Sequence, residues 1–200
     1  MIRSVEDVEA GLPGRRLARG TPRAGALDGV TLVDLYAEYP DFQIDIDREQ
    51  AQLLAHDVIV FQHPLYWYST PAILKEWQDL VLEHGFAYGT EGTALHGKIL
   101  FNALTAGGLE AAYCAEGYNH FTIRELLHPI EQTTMLCGMT YLPPFTLFGS
   151  RTAVDDGRIE RHIADWVGLL SALRDDRLDI TRAQRLPLLN DAIGTSVTEN

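Results

Sequence analysis

Residues 57–77 read DVIVFQHPLYWYSTPAILKEW, and three unlike segments meet in them. Val58 to Phe61 is a short β-branched apolar run of strand length. Tyr66, Trp67 and Tyr68 follow as three consecutive aromatics, held between Pro64 and Pro71, where a loop exposed to solvent ordinarily carries polar residues. From Pro71 onward Ile73, Leu74, Trp77, Leu80 and Val81 fall on one helical stripe, with Ser69 or Thr70 able to cap it and Gly85 to stop it. Strand, loop and helix in this order form half of a βαβ unit.

The rest of the chain repeats the rhythm. Val30–Tyr36, Asp57–Gln62, Lys98–Leu104 and Thr140–Phe148 read as strands, the last interrupted by Pro143 and Pro144. Thr122 and Glu125 have capping-box spacing at the start of a helix that bends at Pro129 and ends at Gly138. Ile159, Ile163, Trp166, Val167, Leu170 and Leu173 mark a closing helix. Short strands alternating with helices build an open parallel sheet in an α/β fold. Three stretches are distinguished: an atypical segment over 1–29, an α/β domain over 30–174, and a polar tail over 175–200 with room for one short docked helix. The first stretch holds five glycines, five arginines and no strand-like run.

Composition narrows the function. The 200 residues carry 28 acidic and 16 basic side chains, a formal charge of −12, which repels nucleic acid and anionic lipid. No apolar run nears the roughly 20 residues of a membrane span, and Glu6, Asp7 and Glu9 make the start unlike a secretory signal. Cys114 and Cys137 have no metal-ligand spacing, so a reduced, cytoplasmic setting without a structural metal is expected.

Ligands of open parallel sheets bind beyond the carboxyl ends of the strands. Two loops stand out there: the aromatic stretch Pro64–Tyr68, and Thr105-Ala106-Gly107-Gly108, which is almost bare backbone. The first has a plain reading as core or interface packing and the second as a tight turn. Side by side, they suit a flat conjugated ligand, with rings as packing surface and glycines letting peptide N–H groups approach.

The motifs YPDF (39–42), QHPLYWYSTPAILKEW (62–77), HGFAYG (84–89), GTALHGK (92–98), TAGG (105–108), GYNHFTIRELLHPIEQT (117–133) and CGMTYLPPF (137–145) occur in one order. In them the chain resembles the flavodoxin-like NAD(P)H:quinone reductases, above all the bacterial branch with the ancillary reductases of glutathione-regulated potassium efflux systems. The resemblance spans residues 30–150. It implies a flavodoxin-like three-layer fold, an open parallel sheet with helices on both faces, and a homodimer holding FMN or FAD. The activity implied is NAD(P)H dehydrogenase (quinone), with hydride passing from NAD(P)H through the flavin to a quinone in a ping-pong cycle. By the same resemblance Pro64, Leu65, Tyr66, Trp67 and Tyr68 line the flavin ring, and Thr105, Gly107, Gly108 and Tyr113 hold its pyrimidine end. Tyr88 and Asn119 cover the substrate, Tyr88 reaching over the site of a second copy. Tyr113 and His120 are the catalytic candidates; His120 fits either a proton donor to quinone or a surface histidine at a helix start. His63, His84 and His96 read as structural. The other implied role is that of a flavin-poor regulatory partner, placed at the inner face of the membrane by contact with a potassium efflux protein.

The resemblance stops at the N-terminus. Relatives begin with an apolar strand and a Ser- and Asn-bearing loop that binds the flavin phosphate at a helix start. Residues 1–29 match neither; they offer Ser4, a GLPG turn, and Arg15, Arg16, Arg19 and Arg23 as point charges. A missing or altered first strand is therefore expected, with the ring-binding half of the site kept and the phosphate-binding half lost.

Overall fold

Alternation along two strands sorts the apolar residues into two cores. In the computed structural model, which describes residues 2–3 and 27–193, β3 (Val58–Pro64) and β4 (Ile99–Thr105) pair in parallel along their whole length, Val58 opposite Ile99 through Pro64 opposite Thr105. Ile59, Phe61, Leu100 and Leu104 face one side of the sheet; Val60, Phe101 and Ala103 face the other. All seven are buried. Helices cover both faces, so the observed architecture is the expected three-layer α/β fold.

The first face is covered by α1 (Leu35–Glu38), α2 (Ile46–Ala55), α3 (Ala72–Val81), α4 (Ile123–Leu126) and α5 (His128–Leu136). Helix α3 keeps the stripe read from the sequence, with Ile73, Leu74, Trp77 and Val81 buried, although Pro71 itself occupies the N-cap and no side chain caps it. Thr122 and Glu125 form the expected capping box, and Pro129 stands in the first turn of α5. Helix α2 was not anticipated. Asp45 accepts from the Arg48 N–H at its start, and its Glu49 is fully buried, accepting from the Tyr39 hydroxyl at 2.8 Å and from the Trp77 indole at 2.8 Å. Burial, and then that carboxylate, push the Tyr39 phenol well above its ordinary range, so it remains a donor. The tyrosine of YPDF thus closes a buried hydrogen-bond triangle with α2 and α3.

The second face is covered by α6 (Arg158–Arg174), α7 (Ile180–Ala183) and α8 (Asn190–Ile193). The stretch read as a polar tail therefore packs in part: Ala183, Leu189 and Ala192 are buried against Phe145 and Trp166, and Asn190 bonds both the N–H and the C=O of Thr146. Two short helices are docked there instead of one.

The sheet order is β2-β1-β3-β4-β5, with β1 at Ile2–Arg3, β2 at Val33–Asp34 and β5 at Thr140–Tyr141. The strand expected over Val30–Tyr36 shrinks to two residues because Leu35 already opens α1. The strand expected over 140–148 divides into β5 and β6 (Phe145–Leu147), both parallel to β4, and the register slips by one residue between them. Pro143 and Pro144, which lack an N–H to donate, occupy the break.

The first strand is altered but not missing. Ile2–Arg3 form β1 between β2 and β3, with Ile2 opposite Val33 and Phe61, and Arg3 opposite Asp34 and Gln62. Pairing needs only backbone groups, which is why a stretch without a strand-like side-chain pattern can fill the central place. The ladder is short, however. Toward the amino end of β3, among the described residues, the β1 side opens into a cleft of about 20 Å³ lined by Thr31, Val33, Leu53, His56, Val58 and Ile59. The Ile99 N–H donates to Asp57 O and the Leu65 N–H to Thr105 O, so odd-numbered residues of β3 bond β4 and even-numbered ones point toward β1. In hydrogen exchange the amides of Val58 and Val60 should therefore exchange at least about tenfold faster than those of Ile59 and Phe61. Equal protection across the four would mean that another segment pairs with this edge of β3.

Candidate functional site

The carboxyl ends of β3 and β4 emerge side by side, and each runs into a loop that the ladder holds open. The Leu65 N–H donates to Thr105 O at 2.8 Å, the last rung between them. Tyr66 and Ser69 then exchange two backbone bonds, 3.0 and 2.9 Å, around a two-residue turn made of Trp67 and Tyr68. Both have positive φ, +47° and +63°. This is a primed hairpin turn, which ordinarily takes Asn-Gly, and two aromatics there cost roughly 1 kcal/mol or more each in backbone strain. The turn gains nothing in burial for it: Trp67 is 93% exposed and Tyr68 46%. Strain held by surrounding structure at an exposed aromatic tip is characteristic of a binding surface.

The second loop packs beneath. A Cβ on Gly108 would stand 3.1 Å from the Tyr113 ring, tighter than ordinary contact, so a side chain there would have to press the ring aside by a few tenths of an ångström. Tyr113 is half-buried, lies 5.6 Å from the Phe148 ring, and sets its hydroxyl beside Gly108. Burial raises its pKa, the Gly108 N–H opposes that, and neighbouring Tyr68 adds to it; the phenol keeps its proton. Among the described residues the N–H groups of Trp67, Tyr68 and Gly107 meet no protein acceptor. These donors stand on the two loops that leave the adjacent strand ends, beside aromatic rings.

Of the residues singled out in the sequence, Pro64–Tyr68, Thr105, Gly107, Gly108 and Tyr113 come together at this edge. Asn119 joins them, accepting from the Tyr68 hydroxyl at 3.1 Å. His120 stands next to it, exposed, with φ +61° at the end of a turn closed by its N–H to Gly117 O. Tyr88 does not join them within one chain. It packs edge-on against His84, 5.4 Å between rings, in the connector that leads to the amino end of β4, where the Gly97 N–H donates to Gly138 O. The phosphate-side candidates Ser4, Arg15, Arg16, Arg19 and Arg23 lie outside the described residues.

Sequence reasoning missed Arg151. Its guanidinium lies over Gly107, with Nε 3.6 Å from where a Cβ would be, in the loop that follows β6. The strand-end rule applied to β6 would have found it. It also missed Asn102, whose amide links His63 to Tyr141 in the core. Among the described residues no group of three metal-ligating side chains occurs and no helix is long and apolar enough to cross a membrane.

Comparison with known proteins places this geometry. A family model described as flavodoxin-like fold matches residues 14–170. The chain belongs to that family. The chain is 53% identical to the uncharacterized NAD(P)H oxidoreductase YrkL of Bacillus subtilis over 121 residues, 60% of this chain and 70% of YrkL. It is 52% identical over 128 residues to the glutathione-regulated potassium-efflux system ancillary protein KefG of Serratia proteamaculans, 64% of this chain and 70% of KefG. Among solved structures, general stress protein 14 of Treponema denticola in complex with FMN superposes with a TM-score of 0.78 at 34% identity, covering 86% of this chain and 97% of that one.

Two buried histidines give the fold a pH dependence. Burial pushes His63, behind the aromatic turn, down to about 4, and His162, stacked 4.4 Å from Phe145, down to about 4 as well. Each is neutral in the folded protein and titrates near 6.5 when unfolded, so the unfolded chain binds more protons between those values. Stability is full above about pH 6.5 and falls as pH drops toward 4, on the order of 3 kcal/mol for each histidine. Urea midpoints measured from pH 7 to 4.5 should fall steadily, and His162→Phe should roughly halve the fall. An unchanged slope in that variant would mean that His162 titrates normally.

Proposed function

We propose that the protein is a flavin-dependent NAD(P)H oxidoreductase that uses a quinone as acceptor. One observation carries the reading: the unclaimed N–H groups of Trp67, Tyr68 and Gly107 line an edge between exposed aromatics and a bare glycine loop, at the strand ends of a flavodoxin-like sheet. An isoalloxazine ring is flat and rimmed with hydrogen-bond acceptors, and this edge fits it.

Pro64 to Tyr68 would hold the outer edge of the ring, and Thr105, Gly107, Gly108 and Tyr113 its pyrimidine end. When bound, FMN supplies the redox chemistry, taking a hydride from NAD(P)H and passing it to a quinone, which also takes a proton. The chain positions, shields and polarises. Tyr113, whose hydroxyl stands beside Gly108, would keep its proton and donate it to a ligand carbonyl. Trp67, Tyr118 and Phe121, 93%, 86% and 54% exposed, surround the mouth and give a second copy an apolar rim to cover, bringing its Tyr88 over the site in a homodimer. Arg151 supplies positive charge beside Gly107.

A second reading, regulation of a potassium efflux protein by contact at the membrane face, is supported by the likeness to KefG and needs no turnover. Titration with FMN separates the two. The first reading expects a yellow complex at low micromolar FMN, bleached by NADH or NADPH without oxygen and restored by a simple quinone. Gly108→Val, which drives a branched side chain into Tyr113, should weaken FMN binding at least about tenfold, or 1.4 kcal/mol. A folded protein that takes up no FMN would overturn the oxidoreductase reading and leave the contact reading standing.

A further inference from the structure

Three buried polar side chains form a line through the first core and end on one carbonyl of the candidate site. The Tyr141 hydroxyl is 2.9 Å from Asn102 Oδ1, Asn102 Nδ2 is 3.0 Å from His63 Nε2, and His63 Nδ1 is 3.0 Å from Pro64 O. Tyr141, Asn102 and His63 are 5%, 0% and 2% exposed. Their backbone stations are fixed by the sheet, since Asn102 stands on β4 between β3, which carries His63, and β5, which carries Tyr141.

The direction of every proton in this line follows from its last member. A carbonyl oxygen accepts only, so His63 Nδ1 carries the hydrogen. A neutral imidazole with hydrogen on Nδ1 has an accepting Nε2, so Asn102 presents its NH2 to it. Asn102 Oδ1 then faces Tyr141, whose hydroxyl donates. His63 is neutral, because burial disfavours its charged form. With His63 neutral, no other orientation of the amide and the ring satisfies all three bonds. Apolar residues of like volume would fill the same space without the desolvation cost of three polar groups, which net hydrogen bonding offsets only in part.

The line ends where the site begins. Pro64 O belongs to the Pro64–Leu65 peptide, whose other end, the Leu65 N–H, makes the last rung to Thr105 O. Both polar groups of this peptide plane are engaged, so its orientation is set. The strained turn carrying Trp67 and Tyr68 departs from that plane within two residues. We propose that Tyr141, Asn102 and His63 are positioning residues: a directional hydrogen-bond relay that fixes the Pro64–Leu65 peptide and thereby aims the N–H groups of the Trp67–Tyr68 turn at the flavin ring. This deepens the flavin reading above and rests on it. None of the three touches the ligand; they act through the peptide.

The test has one measurement that needs no flavin and one that does. Nitrogen NMR of the histidine-labelled protein should show His63 protonated on Nδ1 and bare on Nε2 at pH 7, and Asn102→Leu and Tyr141→Phe should disturb that signature. A His63 protonated on Nε2 in the wild type would overturn the relay. With FMN bound, Asn102→Leu should change the ratio of affinities for oxidised and reduced FMN about tenfold, read as a shift of about 30 mV to lower two-electron midpoint potential. Tyr141→Phe, which removes a single oxygen and keeps the ring packed, should shift it in the same direction by less, and it carries the test if Asn102→Leu does not fold. His63→Asn, which keeps a donor near the position of Nδ1, should restore part of the potential that His63→Phe loses. Lower melting temperatures with an unchanged potential would overturn the positioning role and leave these residues as core packing. A wild type that takes up no FMN overturns the oxidoreductase reading instead, and the tautomer measurement still decides the relay.

Discussion

The parallel pairing of β3 with β4 is the constraint on which the rest of the molecule depends. Seven consecutive rungs run from Val58 opposite Ile99 to Pro64 opposite Thr105, the longest pairing in the sheet. Because the two strands end level, the aromatic turn and the glycine loop start from adjacent positions, and the Leu65 to Thr105 bond locks them there. The same ladder divides the apolar side chains between two faces, so one set of backbone bonds produces both cores and the site. Neighbouring strands are short by comparison: β1, β2 and β5 have two residues each, and β6 three.

Buried polar groups on the first face serve this frame. Glu49 binds Tyr39 and Trp77 and ties the loop after α1 to α2 and α3. His63 binds Asn102 and Pro64 and ties the ladder to the turn. In both places neutral donors or acceptors, rather than opposite charges, satisfy the group, which keeps the bond directional while avoiding a second desolvated charge. Surface ion pairs such as Arg48 with Glu38 and Lys75 with Asp79 are exposed and add little.

Legibility in the sequence followed the range of the interaction. Strand β3, helix α3, the Thr122 capping box and helix α6 depend on neighbours within a few residues, and periodicity or capping spacing exposes them. Helix α2 escaped because its polar residues mask the stripe, and because the burial of Glu49 depends on Tyr39 and Trp77, 10 and 28 positions away. The split of the last strand was signalled by two prolines, but its one-residue slip depends on pairing with β4. The two site loops were legible as unusual compositions at strand ends. Arg151 was not, since only the strand that returns beside β4 brings it over Gly107.

By itself, the sequence determined an α/β chain with strands feeding an aromatic loop and a glycine loop, and its ordered motifs marked the flavodoxin-like family. Those features are local, written in side-chain periodicity and in the backbone freedom of glycine and proline. Tertiary structure decided that Ile2–Arg3 fill the central strand position, that residues after Arg174 dock on the second core, and that Trp67 and Tyr68 adopt a strained turn. It also decided that His63 faces Asn102 and not solvent. The central strand, the docked helices and the His63 to Asn102 bond rest on contacts between residues far apart in the chain, and their free energy appears only once the loops between them have closed.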